Sequence, residues 1–292
     1  MQFALFNSFD QASIRTPNGQ LLKWIGNKQR FAAEIVSFFP RQFGRYYEPF
    51  LGSGAVFATL ASKNSVGSDN FLPLIEIWKT LVSSPARLKE WYAQRWSRLA
   101  TESKQSVYEN VRKDYNANPN AADLLFLCRS CYGGVVRFRK ADGYMSTPCG
   151  VHEPISAVAF SKRVEEWHQR IKYAEIRLSD YRQSMAEAKS GDLIYCDPPY
   201  SHTQSILYGA QEFDLSELMD TIADCKERGA HIALSIDGTK RSGDLFCRLD
   251  IPAGLFEREV MINCGRSMLR RFQLARRTLE SEEVADRLLL TY

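Results

Sequence analysis

Short apolar runs and longer amphipathic stretches alternate through most of this 292-residue chain. The runs around 46–49, 174–178, 192–196 and 231–236 have the length and β-branched or aromatic content of buried strands, a further strand is read as ending near Ser68-Asp69, and 258–262 and 287–292 read as two more near the end. Between them, 29–39 reads as a helix stopped by Pro40, and 55–62 as another. Alternating strands and helices predict an α/β fold with a mostly parallel sheet and a closing hairpin. From 73 to 172 the pattern changes to helices carrying Trp78, Trp91, Trp96 and Trp167, read as core anchors, around a Gly- and Arg-rich stretch at 132–137. Three regions follow: 1–72, an inserted unit at 73–172, and 173–292.

Composition narrows this picture only slightly. The net charge of +4 is mild, but five arginines and no acid lie within CGRSMLRRFQLARR at 264–277, including Arg266, Arg270 and Arg271. Arg129, Arg137, Arg139 and Lys140 form a second basic cluster, and two such clusters suggest a polyanionic partner. Seven scattered cysteines do not form a disulfide framework, and Cys128–Cys131 lacks the further ligands of a zinc site, so no metal is expected. With no apolar run of membrane-spanning length, a reduced intracellular protein without a membrane partner is expected.

Two loops carry candidate chemistry. The segment Phe50-Leu51-Gly52-Ser53-Gly54 joins a strand to a helix, and Asp69 ends the next strand 17 residues after Gly52. Glycines allow a sharp turn beside a ligand, and an acid so placed suits a ribose diol. The second loop, Asp197-Pro198-Pro199-Tyr200, follows the buried run LIYC. Its carboxylate and a proline carbonyl can accept both hydrogens of an exocyclic amine while the tyrosine stacks on the base. By chance this tetrapeptide is expected in about one of several hundred chains this long.

In order, Lys23-Trp24-x-Gly26-x-Lys28, Phe50-x-Gly52-x-Gly54, Asp69 and Asp197-Pro198-Pro199-Tyr200 resemble the Dam-type, alpha-class adenine-specific DNA methyltransferases. CRSCYGGVVR at 128–137 and GYMSTPCG at 143–150 resemble that family's recognition hairpin, although asparagine is usual where this chain has Gly133 and Arg139. The resemblance implies a Rossmann-like S-adenosylmethionine-dependent sheet with an inserted, mainly helical target-recognition domain. It implies transfer of the cofactor's methyl group to N6 of a flipped adenine in duplex DNA. Lys23, Trp24, Gly26, Lys28, Phe50, Gly52, Gly54, Asp69, Asp180, Tyr181 and Asp197 would then contact cofactor, with Lys28 on the methionyl carboxylate and Asp180-Tyr181 at the adenine. Asp197, Pro198, Pro199 and Tyr200 would form the catalytic loop. Arg129, Tyr132, Arg137, Arg139 and the arginines at 266, 270 and 271 would meet double-stranded DNA. The setting would be the cytoplasm of a prokaryotic cell, or a phage or mobile element, with a cognate restriction endonuclease as a further partner. Cytosine-N4 methylation, adenine-N6 methylation of RNA and a catalytically silent nucleic-acid-binding relative are the competing readings.

Overall fold

In the computed structural model, which describes residues 7–8, 14–139, 141–199, 213–237, 251–266 and 283–292, seven strands make one sheet. In chain order they are β3 (Tyr46–Glu48), β4 (Ser65–Asp69), β5 (Glu175–Leu178), β6 (Leu193–Cys196), β7 (His231–Asp237), β8 (Arg258–Arg266) and β9 (Glu283–Leu290). A separate antiparallel pair joins β1 (Asn7–Ser8) to β2 (Gln42–Phe43). The sheet order is β5-β4-β3-β6-β7-β9-β8, parallel from β5 to β7, with β9 antiparallel to both neighbours. From β3 the chain winds outward to β4 and β5, then returns to β6 on the other side of β3. The crevice between β3 and β6 is therefore the switch point, where open α/β sheets bind ligands.

Alternating strand residues fill two apolar cores, one on each face. Tyr46, Leu193 and Tyr195 point into the larger core, while Tyr47, Ile194 and Cys196 point into the other. Every side chain of β6 is buried, as a central parallel strand covered on both faces requires. Helices α8 (Tyr181–Ala186) and α9 (Leu215–Glu227) cover the smaller core. Helices α1 (Ala32–Ser37), α2 (Ala55–Leu60), α3 (Leu72–Ser83) and α7 (Ala157–Ile171) supply the larger one.

The insertion is α4 (Pro85–Ser97), α5 (Lys104–Ala117) and α6 (Ala121–Ser130), framed by α3 and α7. Its core is continuous with the sheet's larger core. Trp78 of α3 and Trp167 of α7 are fully buried with ring centres 5.7 Å apart, and Tyr92 stacks on Phe160 at 4.1 Å. Burying side chains of that size contributes about 1.5–3 kcal/mol each. Ser103, Asn120 and Ser156 cap α5, α6 and α7 by accepting backbone N–H bonds, which explains sharp starts after polar loops.

Boundaries shift where local hydrogen bonding overrides pattern. The first helix begins at Ala32 rather than 29 because Asn27 accepts the Gln29 N–H and closes a turn beforehand. Helix α2 ends at Leu60 rather than 62 because Ala61 is left-handed. The last strands run past the apolar stretches that announced them, because β9 pairs with β8 through backbone groups regardless of side chain. Among the described residues no helix is long and apolar enough to cross a membrane.

Candidate active site

Three parallel strands end in acids at one edge of the sheet. Glu48 closes β3, Asp69 closes β4, and Asp197 follows β6. The glycine loop bends over this edge and is held from both sides. Gly52 N–H donates to Asp69 Oδ2 (3.1 Å), and Trp78 Nε1–H donates to the Gly52 carbonyl (3.1 Å). Gly54 is left-handed (φ 62°), and a Cβ there would lie 2.9 Å from the Trp78 ring, so any side chain would force the α2 N-terminus off the core.

Beneath the loop lies a cavity of about 310 Å³, within the range of small-ligand sites. It gathers most of the expected cofactor positions from five stretches of sequence. Trp24, Gly26 and Lys28 come from the first segment, Phe50 and Gly52 from the loop, and Asp69 from β4. Asp180 and Tyr181 line it from the start of α8, and Asp197 and Pro199 from the proline loop. Lys23 and Gly54 do not line it. Lys23 packs instead against the insertion, where a Cβ at left-handed Gly134 would come 2.8 Å from the Lys23 Cβ. Pro198 is buried behind the cavity wall, and Tyr200 lies outside the described residues.

The charges here are paired in a definite way. Lys28, 5% exposed, lies 2.9 Å from Asp197 Oδ1 and 3.4 Å from Asp286 Oδ2, and donates to the Gly26 carbonyl at 3.4 Å. Burial would lower its pKa, but the two carboxylates outweigh that and hold it above the ordinary lysine range. Lys28 thus grips the proline-loop carboxylate, a different partner from the expected methionyl carboxylate. Asp69 is pushed up to about 6 by burial, against the opposing backbone N–H bonds from Gly52, Phe71 and Asn70. Glu48 is raised well above the usual carboxylate range, first by burial and further by nearby Asp197, despite a 2.6 Å bond donated by the Tyr46 hydroxyl.

On the far side, Phe50 stacks on Tyr181 (5.2 Å, 27°), and Phe213 meets Phe50 edge-on at 5.9 Å. Asp180 caps α8: its Oδ1 accepts the Arg182 N–H at 2.9 Å and pairs with the Arg182 guanidinium at 3.4 Å. Glu48, Ser179, Tyr195 and Phe213 also line the cavity and were missed in the sequence. Glu48 carried a signal, since it ends the strand directly before the glycine loop, as Asp69 ends the next one.

The polyanion-facing residues divide. Residues 137–146 form an irregular hairpin in which Phe138 bridges Met145 and Arg139 N–H donates to the Tyr144 carbonyl (2.9 Å). Arg137 and Arg139 are exposed on it. The Arg139 guanidinium donates to both Asp142 oxygens (3.1 and 2.7 Å) and lies 4.3 Å from the Tyr144 ring centre. Tyr132 is half-buried at the hairpin base, where its N–H donates to the Pro148 carbonyl. Arg129 does not belong with them. It is 2% exposed, donates to the Gln20 and Leu21 carbonyls (2.8 and 2.9 Å), and is lowered to about 10 by burial. The expectation of a DNA-facing Arg129 is thereby corrected: its buried guanidinium donates through Nη1 to backbone carbonyls, ties Gln20 and Leu21 to α6, and is not on the surface. Arg266 lies at the end of β8 with its side chain outside the description, and Arg270 and Arg271 fall wholly outside the described residues.

The chain is similar in sequence to several known proteins. DNA adenine methylase of Vibrio cholerae serotype O1 is 26% identical over 238 residues, covering 77% of this chain and 83% of the relative. Type II methyltransferase M.MjaIII of Methanocaldococcus jannaschii is 26% identical over 270 residues, covering 83% and 92%. The retron Ec67 DNA adenine methylase of Escherichia coli is 24% identical over 255 residues, covering 85% and 87%. Among solved structures, rRNA methyltransferase aviRa from Streptomyces viridochromogenes superposes with a TM-score of 0.41 at 13% identity, covering 98% and 94% of the two chains, too remote to speak for substrate. A profile of D12 class N6 adenine-specific DNA methyltransferases matches residues 24–252, most of the catalytic sheet and the whole insertion, and the chain belongs to that family.

Proposed function

We propose that the cavity at the β3–β6 crevice takes S-adenosylmethionine and that Asp197, with the Pro198 carbonyl, receives the N6 amine of an adenine flipped from duplex DNA. The observation that carries this reading is the placement of Asp197 on the same cavity as the Asp69–Gly52 loop, its Oδ1 gripped by Lys28. The residues fit the cofactor by their chemistry. The turn at Gly52 leaves backbone open to a ligand, Asp69 offers carboxylate acceptors to a diol, the stacked Phe50–Tyr181 pair on the cavity wall suits contact with a flat ring, and Trp24 and the acids suit a cation. When bound, the cofactor supplies an electrophilic methyl group.

The chain's own residues do the rest. The amino lone pair of adenine is delocalised into the ring, so accepting both N–H bonds at Asp197 and the Pro198 carbonyl pulls the nitrogen towards a localised, nucleophilic lone pair. Fixing it in line with the methyl carbon removes up to roughly 7–11 kcal/mol of entropic barrier in ideal cases. Tyr200 would stack on the extruded base. Flipping costs a few kcal/mol, which Arg137, Arg139 and the arginines at 266, 270 and 271 would offset at phosphates and base edges. The region 73–172 serves as the target reader, with Tyr132 entering the base stack. Duplex DNA is favoured over RNA because a hairpin can enter its major groove but not that of an A-form helix. The type II name of the archaeal relative supports a partner restriction endonuclease in the cytoplasm of the same prokaryotic cell.

Calorimetry should detect S-adenosylmethionine binding to the purified chain, and labelled methyl should enter N6-methyladenine in duplex DNA, identified by mass spectrometry of the nucleosides. Asp197→Ala should lower transfer by about 10²–10³-fold or more with the fold intact, and Asp197→Asn should retain part of the rate. Undiminished turnover by the Ala variant, or label only in RNA or cytosine, overturns the reading.

A further inference from the structure

Strand β9 lies beyond the family-matched residues 24–252, yet it delivers a carboxylate to the catalytic edge. Being antiparallel, β9 starts where the parallel strands end. Asp286 sits opposite Asp237 of β7 and Ile262 of β8, so its backbone is fixed from both sides. Its carboxylate is 14% exposed and 3.4 Å from the Lys28 ammonium.

We propose that Asp286 is a positioning residue for methyl transfer: it anchors Lys28, and through Lys28 fixes the Asp197 carboxylate against the target amine while keeping the cluster net anionic. The proposal rests on the reading that Asp197 receives that amine. A lysine paired with one carboxylate makes a neutral couple, whereas Lys28 between Asp197 and Asp286 makes a triad of net charge −1. As the N–C bond forms and the donor's C–S bond breaks, leaving a neutral thioether, the positive charge passes to the amine nitrogen until one N–H proton is lost to water, and a net negative triad beside that nitrogen favours the transition state. The triad also selects geometry. Lys28 is directed to Asp197 Oδ1, the Asp286 carboxylate and the Gly26 carbonyl, so its rotation, and with it the Asp197 carboxylate plane, is fixed. Besides Asp197 and Asp286, the titratable group bearing on Lys28 is Tyr195, and buried Glu48 bears on Asp197. With Glu48 raised towards its neutral form, Asp286 supplies the second negative charge.

The test is Asp286→Asn in the full chain, which keeps shape and one acceptor oxygen but loses the charge. We expect kcat to fall about 10–100-fold, with KM for DNA and the cofactor dissociation constant changed less than about threefold, because Asp286 reaches neither ligand. In a Lys28→Met background, the same change should cost less, because the part that acts through Lys28 is already gone. Asp286→Glu should recover part of the rate. Unchanged kcat in Asp286→Asn, a KM for DNA that rises as much as kcat falls, or an equal loss in both backgrounds overturns the proposal. If Asp286→Asn does not fold, Asp286→Ser takes its place in the same cycle. Activity surviving in Asp197→Ala overturns the underlying reading instead, so the two failures are distinguishable.

Discussion

The cofactor crevice and the recognition hairpin are built by opposite means. The crevice is made of strand ends: its acids stand at positions dictated by parallel pairing, its loop is pinned by Trp78 and Asp69, and its lysine is shut away between two carboxylates. The hairpin is made of turns and isolated bridges, with Arg137 and Arg139 in solvent and Arg139 paired to nearby Asp142. Chemistry that is the same at every turnover is placed on rigid elements. On the proposed function, the reading of bases would fall to a surface that must meet a partner.

Perturbing each region sharpens the contrast. The largest expected effect is on the shared core: Trp78→Ala removes a buried indole and the donor that holds the Gly52 carbonyl, and should cost about 3–5 kcal/mol of stability. Denaturant unfolding measures it, and a loss under 1 kcal/mol would show that the loop does not depend on this anchor. Next comes Arg137→Ala, expected to weaken specific DNA binding by about 1–3 kcal/mol and relax preference at one base pair. Equal weakening on cognate and random duplexes would reduce Arg137 to a phosphate contact.

Acid should act on the crevice and spare the hairpin. Asp69 must be ionised to accept from a diol, and its carboxyl is raised to about 6 by burial, so binding below that pH requires loss of a proton. Cofactor affinity should therefore fall about tenfold per pH unit below 6 and be level above it. The sign for folding is the reverse: because the folded pKa exceeds the ordinary value, the stability this group contributes is full below about 4 and fades as pH rises through about 6. Titration calorimetry between pH 5 and 8 would show the break, and Asp69→Asn should remove it. The smallest effect is expected from Asp142→Asn. The Arg139–Asp142 pair is about half exposed on both sides, so its loss should alter stability by no more than about 1 kcal/mol while raising affinity for random DNA slightly by unmasking Arg139.

How much of this was legible in the sequence follows from the same contrast. Asp69, Gly52 and Asp197 could be read because each stands at a fixed offset from an apolar run, and parallel pairing turns that offset into a place on one edge. Asp286 stands at the near end of an antiparallel strand some 260 residues from Lys28, and no local pattern connects the two. Arg129 was misread because a count of nearby basic residues carries no information about burial; the carbonyls that satisfy it, of Gln20 and Leu21, belong to a segment more than a hundred residues away. The Trp-bearing insertion was recognised as helical, but not that its core would continue into the sheet's own.

The close approach of Gly134 to Lys23 has a thermodynamic consequence. Gly134 ends the turn that begins with Tyr132, and Lys23 immediately precedes Trp24 in the cavity wall, with no room for a methyl group between them. A duplex that shifts the hairpin base must therefore also shift the wall of the cofactor cavity. Binding is a state function, so whatever factor DNA applies to cofactor affinity, the cofactor applies to DNA affinity in the same direction and by the same amount. On the proposed function, such coupling would make a cell's supply of methyl donor an effector of how tightly this protein holds its target.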